Sequence, residues 1–315
     1  MSIKHSLVVP CYNEQGNVKS FLEQAKSAME GYTKDYEIVF VNDGSKDNTG
    51  SELISLWKNN SDIKIKVITF SRNFGKEAAI YAGLSNAAGE YITIIDADLQ
   101  QDPAYAVQMG RILDDSPDCD MVAAYQAHRR EGYLLSKCKS GFYKLISKTS
   151  GVDFITDASD FRTMRRCVAE TIVALPEYHR FSKGIFSWVG YNTKTMPYEV
   201  KERNSGETKW SLTKLLRYAL DGIVAYTDLP LRLPFGTGIF MIFAALALLV
   251  VLIFADVGLA FSLIIPVVLF VGGIICIFLG ILGYYLGKIH TEVKQRPIFI
   301  AKEILTYEND KKADN

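Results

Sequence analysis

Two aspartates one residue apart, Asp96 and Asp98, directly follow a short β-rich run, Tyr91-Ile-Thr-Ile-Ile95. Residues i and i+2 of an extended segment point to the same side, so both carboxylates can face one site. Carboxylate oxygens are hard ligands. Such a pair suits Mg2+ or Mn2+ and leaves coordination positions open for phosphate oxygens. Alone, D-x-D is a weak signal, because loop capping and chance also produce it; its place after an apolar strand gives it weight. Three more polar clusters stand in the same position relative to apolar runs: Cys11-Tyr-Asn-Glu14, Asn42-Asp-Gly-Ser45 and Ser71-Arg-Asn73. No G-x-G-x-x-G follows the first run and no G-x-x-x-x-G-K-[ST] occurs, which weakens the dinucleotide-enzyme and P-loop readings. The four histidines are scattered and the five cysteines form no C-x-x-C, so zinc is not expected and the thiols read as reduced.

The elements that must carry these clusters alternate in type. Runs at 6–10, 36–41, 65–70, 91–95 and 120–124 are apolar and β-rich. Between the first two, Val18, Phe21, Leu22, Ala25, Ala28 and Met29 recur at helical spacing. Ser45 or Asp47 can cap a second helix ahead of Leu53, and Asp102-Pro103 reads as an N-cap followed by proline at the first helical position. Alternation of this kind predicts an α/β fold with a mostly parallel sheet and flanking helices. Ligands of such sheets bind beyond the carboxyl ends of the strands, where the four clusters lie. The sheet core is expected to be complete before Leu233.

The chain of 315 residues balances 35 basic against 35 acidic side chains, which excludes a generally basic nucleic-acid binder. Its apolar residues are concentrated near the C-terminus. Leu233–Ala255 and Val257–Gly287 are charge-free, with only Asp256 between them. Each exceeds the roughly 20 residues that a membrane-spanning helix needs. Lys201, Arg203, Lys209, Lys214, Arg217 and Arg232 precede the first run, and Lys288, Lys294, Arg296 and Lys302 follow the second. The positive-inside rule then puts both termini in the cytoplasm. Before the first run, Leu212, Leu215, Leu216, Ala219, Leu220, Ile223 and Val224 form an apolar stripe opposite Lys214, Arg217 and Asp221, which predicts an interfacial amphipathic helix. Lys4, His5, Asn13 and Glu14 interrupt any apolar N-terminal stretch, so no signal peptide is expected.

Six ordered segments carry a resemblance: Val9-Pro-Cys-Tyr-Asn-Glu14, Val41-Asn-Asp-Gly-Ser-Lys-Asp-Asn-Thr49, Ser71-Arg-Asn-Phe-Gly-Lys76, Asp96-Ala-Asp-Leu-Gln100, Asp157-Ala-Ser-Asp-Phe-Arg162 and Gly206-Glu-Thr-Lys-Trp-Ser211. With the two apolar runs, Tyr285-Leu-Gly-Lys-Ile289 and Arg296-Pro297, they make the chain resemble family-2 glycosyltransferases of the polyprenyl-phosphate type, the bactoprenol glucosyltransferases and dolichol-phosphate mannose synthases. The resemblance implies a GT-A (Rossmann-like) catalytic domain at 1–205, a juxtamembrane helix at 206–232, a transmembrane hairpin at 233–288 and a cytoplasmic tail at 289–315. It implies that Pro10, Tyr12, Glu14 and Asp43 line the nucleotide pocket, that Asp96 and Asp98 hold the metal and through it the diphosphate, and that Gln100 completes the metal site. The family commonly reads D-A-D-L-Q-D-P. This chain has Gln100-Gln101-Asp102-Pro103, which leaves Gln100 and Gln101 both open. Lys76 can reach the sugar or phosphates, or be a solvated lysine.

The implied reaction moves a hexose, glucose from UDP-glucose in the first instance, to undecaprenyl phosphate at the cytoplasmic face of the inner membrane, with inversion. GDP-mannose or a UDP-amino sugar are the other donors. A phosphate with a second pKa of about 6 is already anionic at neutral pH, so the acceptor needs cationic positioning more than a strong base. Arg129, Arg130, Lys137, Arg162, Arg203 and Lys209 are the candidates, with Ser140 and Tyr143 nearby in sequence. Asp157 takes the family's position of the presumed base; it can equally orient Arg162 or a sugar hydroxyl. The partners implied are a nucleotide sugar, a polyprenyl-phosphate lipid and a membrane, with no nucleic acid and with self-association open. A non-catalytic nucleotide-binding membrane scaffold is the competing class, against which Asp96, Asp98 and Asp157 all stand. A processive synthase would carry Q-x-x-R-W and more spans.

Overall fold

The computed structural model describes residues 3–127, 158–200 and 257–307, with some positions between 231 and 247. These fall into two units: a sheet unit, to which the chain from Pro297 onward returns, and a second unit containing the long C-terminal helix.

The sheet unit holds eight strands, β1 (His5–Cys11), β2 (Tyr36–Asn42), β3 (Lys64–Phe70), β4 (Tyr91–Ile94), β5 (Met121–Gln126), β6 (Ala158–Arg165), β7 (Thr193–Tyr198) and β8 (Ala301–Leu305), in the order β7-β5-β6-β4-β1-β2-β3-β8. Pairs β1–β2, β1–β4, β2–β3 and β5–β7 are parallel; β4–β6, β5–β6 and β3–β8 are antiparallel. The expected parallel sheet therefore holds for the centre, and the whole is mixed. Parallel strands buried on both faces read as continuous apolar runs, and β2 is buried at every position.

Helices α1 (Asn17–Glu30), α2 (Thr49–Asn59), α3 (Lys76–Asn86) and α4 (Pro103–Asp115) make the crossovers; α5 (Arg166–Ala174) and α6 (Ser182–Trp188) follow β6. The stripe on α1 packs as its spacing predicts, with Val18, Phe21, Leu22, Ala25 and Met29 buried. Asp102 caps α4, its side chain accepting the Ala104 N–H at 2.9 Å. The second expected cap differs. Asn48 occupies the N-cap of α2 without a side-chain bond; Asp47, one residue earlier, accepts the Thr49 N–H at 3.0 Å through Oδ1 and the Gln15 N–H at 3.3 Å through Oδ2, while Ser45 turns toward the loop after β1. Helix α3 carries little amphipathic signal because Ala78, Ala79, Ile80, Ala82, Gly83 and Leu84 are all buried. It lies so close to β1 that a Cβ at Gly83 would stand 2.1 Å from Val8 Cγ1.

A buried polar row crosses three strands on the opposite face: His5 Nε2 meets Thr93 Oγ1 at 2.7 Å, which meets Thr163 Oγ1 at 2.6 Å. Burial holds the His5 imidazole down at about 3, so it is neutral.

Strand β8 corrects the expectation that the sheet is complete before Leu233. It pairs with β3, Ser71 N–H donates to Ile300 O at 2.9 Å, and Phe299 stacks on Phe70 with centroids 4.9 Å apart. In the second unit, α7 (Val257–Val293) continues past the expected end of the hairpin. Its stretch Phe270–Val293 is the one helix among the described residues long and apolar enough to cross a membrane. The positions described between 231 and 247 are helical; the rest of the first apolar run and the expected amphipathic helix lie outside the described residues.

Candidate active site at the carboxyl ends of β1, β2 and β4

From β1 the chain builds β2 and β3 on one side, then crosses to place β4 on the other. This is the topological switch point, where a crevice opens beyond the strand ends. The last β1–β4 pair is Val8 with Ile94, and Ile95 N–H donates to Val8 O at 3.0 Å. By the period of two, Pro10 faces the same side as Val8, where β4 has ended, so its missing N–H removes no ladder bond.

The loops after β1 and β2 are zipped together. Asn13 N–H donates to Ser45 Oγ at 3.0 Å, Lys46 N–H to Asn13 Oδ1 at 2.9 Å, and Glu14 N–H to Thr49 Oγ1 at 2.9 Å. The turn requires φ of 55° at Asn13, a left-handed conformation that asparagine tolerates well. Tyr12 and Glu14 are half-buried on this layer, and Glu14 Oε2 accepts from Asn17 Nδ2 at 2.8 Å.

Asp43, 3% exposed, anchors the loop after β3. Its oxygens accept from Phe74 N–H (2.6 Å), Gly75 N–H (3.0 Å) and Asn73 Nδ2 (2.9 Å). Burial pushes its carboxyl above the ordinary value, and the Phe74 and Gly75 donors pull against that. Gly44 makes the approach possible: at φ of 61°, a Cβ there would lie 2.4 Å from the Arg72 carbonyl carbon.

Asp96 and Asp98 follow β4, flanking the buried Ala97. Gln101 Oε1 accepts the Asp96 N–H at 3.0 Å, and Asp98 Oδ1 accepts the Gln100 N–H at 3.1 Å. The buried Gln101 thus braces the loop backbone, while Gln100 is half-exposed beside Asp98. Leu99 is buried with φ of 62°, costly for a bulky L-residue by roughly 1–2 kcal/mol. Strain of this kind gathers at functional sites. Among the described residues no cluster of three or more His, Cys, Asp or Glu is placed to hold a metal ion. A cation here would take oxygen ligands from this pair and keep other positions open, which fits Mg2+ or Mn2+.

Lys76, the first residue of α3, points its ammonium at this loop. Nζ lies 2.7 Å from Asp96 Oδ1 and 3.4 Å from Asp160 Oδ2. Desolvation opposes its charge, but Asp96 and Asp160 outweigh it and hold Lys76 well above the usual lysine range. Asp160 itself is held below the usual carboxylate range: burial opposes this, and Lys76, Lys183 and Arg162 overcome it. Glu77 accepts from the Ser182 N–H at 3.0 Å and from its hydroxyl, tying α3 to α6. Burial first, and Asp160 second, push Glu77 up to about 7.

Arg162 is 2% exposed. Its guanidinium lies 3.7 Å over the Phe186 ring and donates to Ser159 O at 2.7 Å. Burial lowers it to about 10, so it stays a cation. In this arrangement it faces Phe186 and the carbonyl of Ser159 from inside the protein.

The structure therefore gathers Pro10, Tyr12, Glu14, Asp43, Lys76, Asp96, Asp98 and Gln100 at adjoining strand ends. Arg129, Arg130, Lys137, Ser140, Asp157, Arg203 and Lys209 lie outside the described residues. Sequence reasoning missed Asp160, Glu77 and Ser182. Asp160 was legible, since period two puts it on the β6 face of Arg162. Glu77 reads as an ordinary acid in a first helical turn, favourable to the helix dipole. Nothing local announces its burial.

Residues 6–173 match the family described as Glycosyl transferase family 2. The prophage bactoprenol glucosyl transferase homolog of Escherichia coli (strain K12) is 38% identical over 96% of this chain and 99% of its own length. The bactoprenol glucosyl transferase of Shigella phage SfII is 38% identical over 96% and 98%. Among solved structures, the glucosyl-3-phosphoglycerate synthase of Mycobacterium tuberculosis in complex with Mn2+, UDP and phosphoglyceric acid superposes with a TM-score of 0.49, at 15% identity, over 70% of this chain and 76% of its own.

Proposed function

The chain belongs to glycosyl transferase family 2 and is a glycosyltransferase, and on that premise we propose that it transfers glucose from UDP-glucose to undecaprenyl phosphate at the cytoplasmic face of a membrane. The observation that carries this reading is near-full-length similarity, at 38% identity, to proteins named bactoprenol glucosyl transferases. In the reaction a lipid-phosphate oxygen forms a bond to the anomeric carbon as the bond to UDP breaks, with inversion. The acceptor arrives ionised.

Pro10, Tyr12, Glu14 and Asp43 would surround the nucleotide, with Asp43 acting through the loop it anchors. Asp96 and Asp98 would hold Mg2+ or Mn2+, with Gln100 beside them. When bound, the cation supplies charge stabilisation to the departing diphosphate. Asp157 would orient the attack or accept a proton. The burial of Arg162 suits a positioning role behind Asp160. Arg129, Arg130, Lys137, Ser140, Arg203 and Lys209 would receive the acceptor phosphate.

Membrane attachment is supported by the apolar length of Phe270–Val293, and the β3–β8 pairing constrains its topology. Strands of one sheet share one side of a bilayer, so the chain between them crosses an even number of times. If α7 spans, the first apolar run supplies the other crossing.

The test is transfer by the full chain in lipid bilayers containing undecaprenyl phosphate, with UDP-glucose, GDP-mannose and a UDP-amino sugar as donors. UDP-glucose should be used, EDTA should abolish turnover, and Asp98→Asn should lower it by about 10²-fold or more. Use of GDP-mannose alone would sink the donor assignment; undiminished turnover in excess EDTA would sink the metal.

A further inference from the structure

The ammonium of Lys76 sits on both oxygens of Asp96, at 2.7 Å from Oδ1 and 2.9 Å from Oδ2. A divalent cation held by Asp96 and Asp98 would draw on the same carboxylate, so ammonium and metal, both cations, compete for it. A second anion stands within reach of that ammonium, since Asp160 Oδ2 is 3.4 Å away. The other oxygen, Asp160 Oδ1, is buried and takes no hydrogen bond. A buried carboxylate oxygen without a donor is unfavourable, so this position has an unmet demand for an N–H next to one that is available. Lysine suits the move: it is a compact charge with three donors on a flexible stem, whereas a guanidinium is a planar fork. The Lys76 side chain is 44% exposed and has room to shift.

We propose that Lys76 is the counter-ion that Asp96 exchanges for a divalent cation, held by Asp96 before the cation arrives and moving fully onto Asp160 afterwards. Before loading, Lys76 keeps Asp96 from repelling Asp98; after loading, it lies beside the cation and adds positive charge where a diphosphate would bind. The inference rests on the metal reading given above.

The experiment measures Mn2+ binding by the full-length protein in detergent, from the electron paramagnetic resonance signal of free Mn2+, with no turnover required. Removing the competitor in Lys76→Met should tighten Mn2+ by about three- to tenfold. Asp160→Asn should loosen it by a comparable factor, because the ammonium then has only Asp96. In Lys76→Met/Asp160→Asn the second change should have no further effect. Lys76→Gln serves as a second neutral variant should methionine perturb folding, which thermal unfolding reports. If wild type binds Mn2+ and both neutral variants bind it equally or more weakly, the counter-ion role is overturned and the metal site stands. If no variant binds Mn2+, the metal reading falls and takes the counter-ion role with it. If Asp160→Asn weakens binding equally with and without Lys76, Asp160 acts on the cation directly and its role as second berth is wrong.

Discussion

Asp157 and Glu77 are both carboxylates, and their pH signatures separate their roles. If the acceptor phosphate ionises unaided, the acidic limb of kcat/KM belongs to the lipid and lies near its second pKa of about 6. Asp157→Asn should then keep that limb and lose roughly 10²-fold on the plateau, the penalty of misplaced attack. Disappearance of the limb in the variant would make Asp157 the base. Glu77 acts on stability instead. Its folded value of about 7 stands above its ordinary 4.5, so the native state holds the extra proton between those limits. Stability from this group therefore falls as pH rises through that window and levels off above it. His5 opposes it: with a folded value of about 3 against 6.5, its contribution rises with pH up to the upper figure. The clean observable is the difference between Glu77→Gln and wild type. The amide oxygen can still accept from Ser182, so the variant's relative thermal midpoint should climb from pH 5 to about 7 and then stay flat. A pH-independent difference would show that Glu77 does not titrate there.

At the level of elements, strands and crossover helices were legible wherever local pattern and burial agree. The α1 stripe and the Asp102-Pro103 start of α4 are such cases. Helix α3 illustrates the contrary: its buried residues, 78–80 and 82–84, are too widely spread around the helix to make a single stripe. The Asp96–Asp98 site was readable because strand periodicity and carboxylate chemistry are both local. Its partner Asp160 comes from β6, a strand that runs antiparallel beside β4, and the pairing is a long-range fact. Strand β8 was missed for the same reason. Ala301-Lys-Glu-Ile-Leu305 is short, leaves Lys302, Glu303 and Ile304 exposed, and is separated from β3 by the whole apolar region. Its junction can be probed at Phe299, which stacks on Phe70 and meets Tyr81 of α3 edge-on. Phe299→Ala should cost about 2 kcal/mol, below the 3–5 kcal/mol of a fully buried phenylalanine because Phe299 is only partly covered. Chemical denaturation with an unchanged m-value would measure it. A loss under about 0.5 kcal/mol would mean that the segment after the apolar region contributes little to the sheet.

For the whole molecule, zero net charge says little about function, but the arrangement of the chain constrains its topology. One sheet is made from residues on both sides of the apolar region, so Ser61 and Lys302, both exposed, must share one compartment. In a cysteine-depleted background, Ser61→Cys and Lys302→Cys should react with an impermeant maleimide only after the membrane is opened. Asp256→Cys, between the two apolar runs in sequence, should react in intact spheroplasts. Labelling of Lys302→Cys without Ser61→Cys would contradict the sheet itself.

The β3–β8 pairing also orders events in time. Synthesis proceeds from the N-terminus and domains fold as they emerge, yet the last strand of this sheet is encoded after both long apolar runs. Until Ala301–Leu305 has been made and has returned, β3 presents a bare hydrogen-bonding edge and Phe70 lacks its stacking partner. Bare edges invite pairing with other chains. A nascent chain stalled within the apolar region keeps that edge open. Closure of the sheet thus waits on the last residues of the chain: a finished edge records that the whole chain has been made and has returned, and an unfinished one leaves β3 open to pairing with a neighbour.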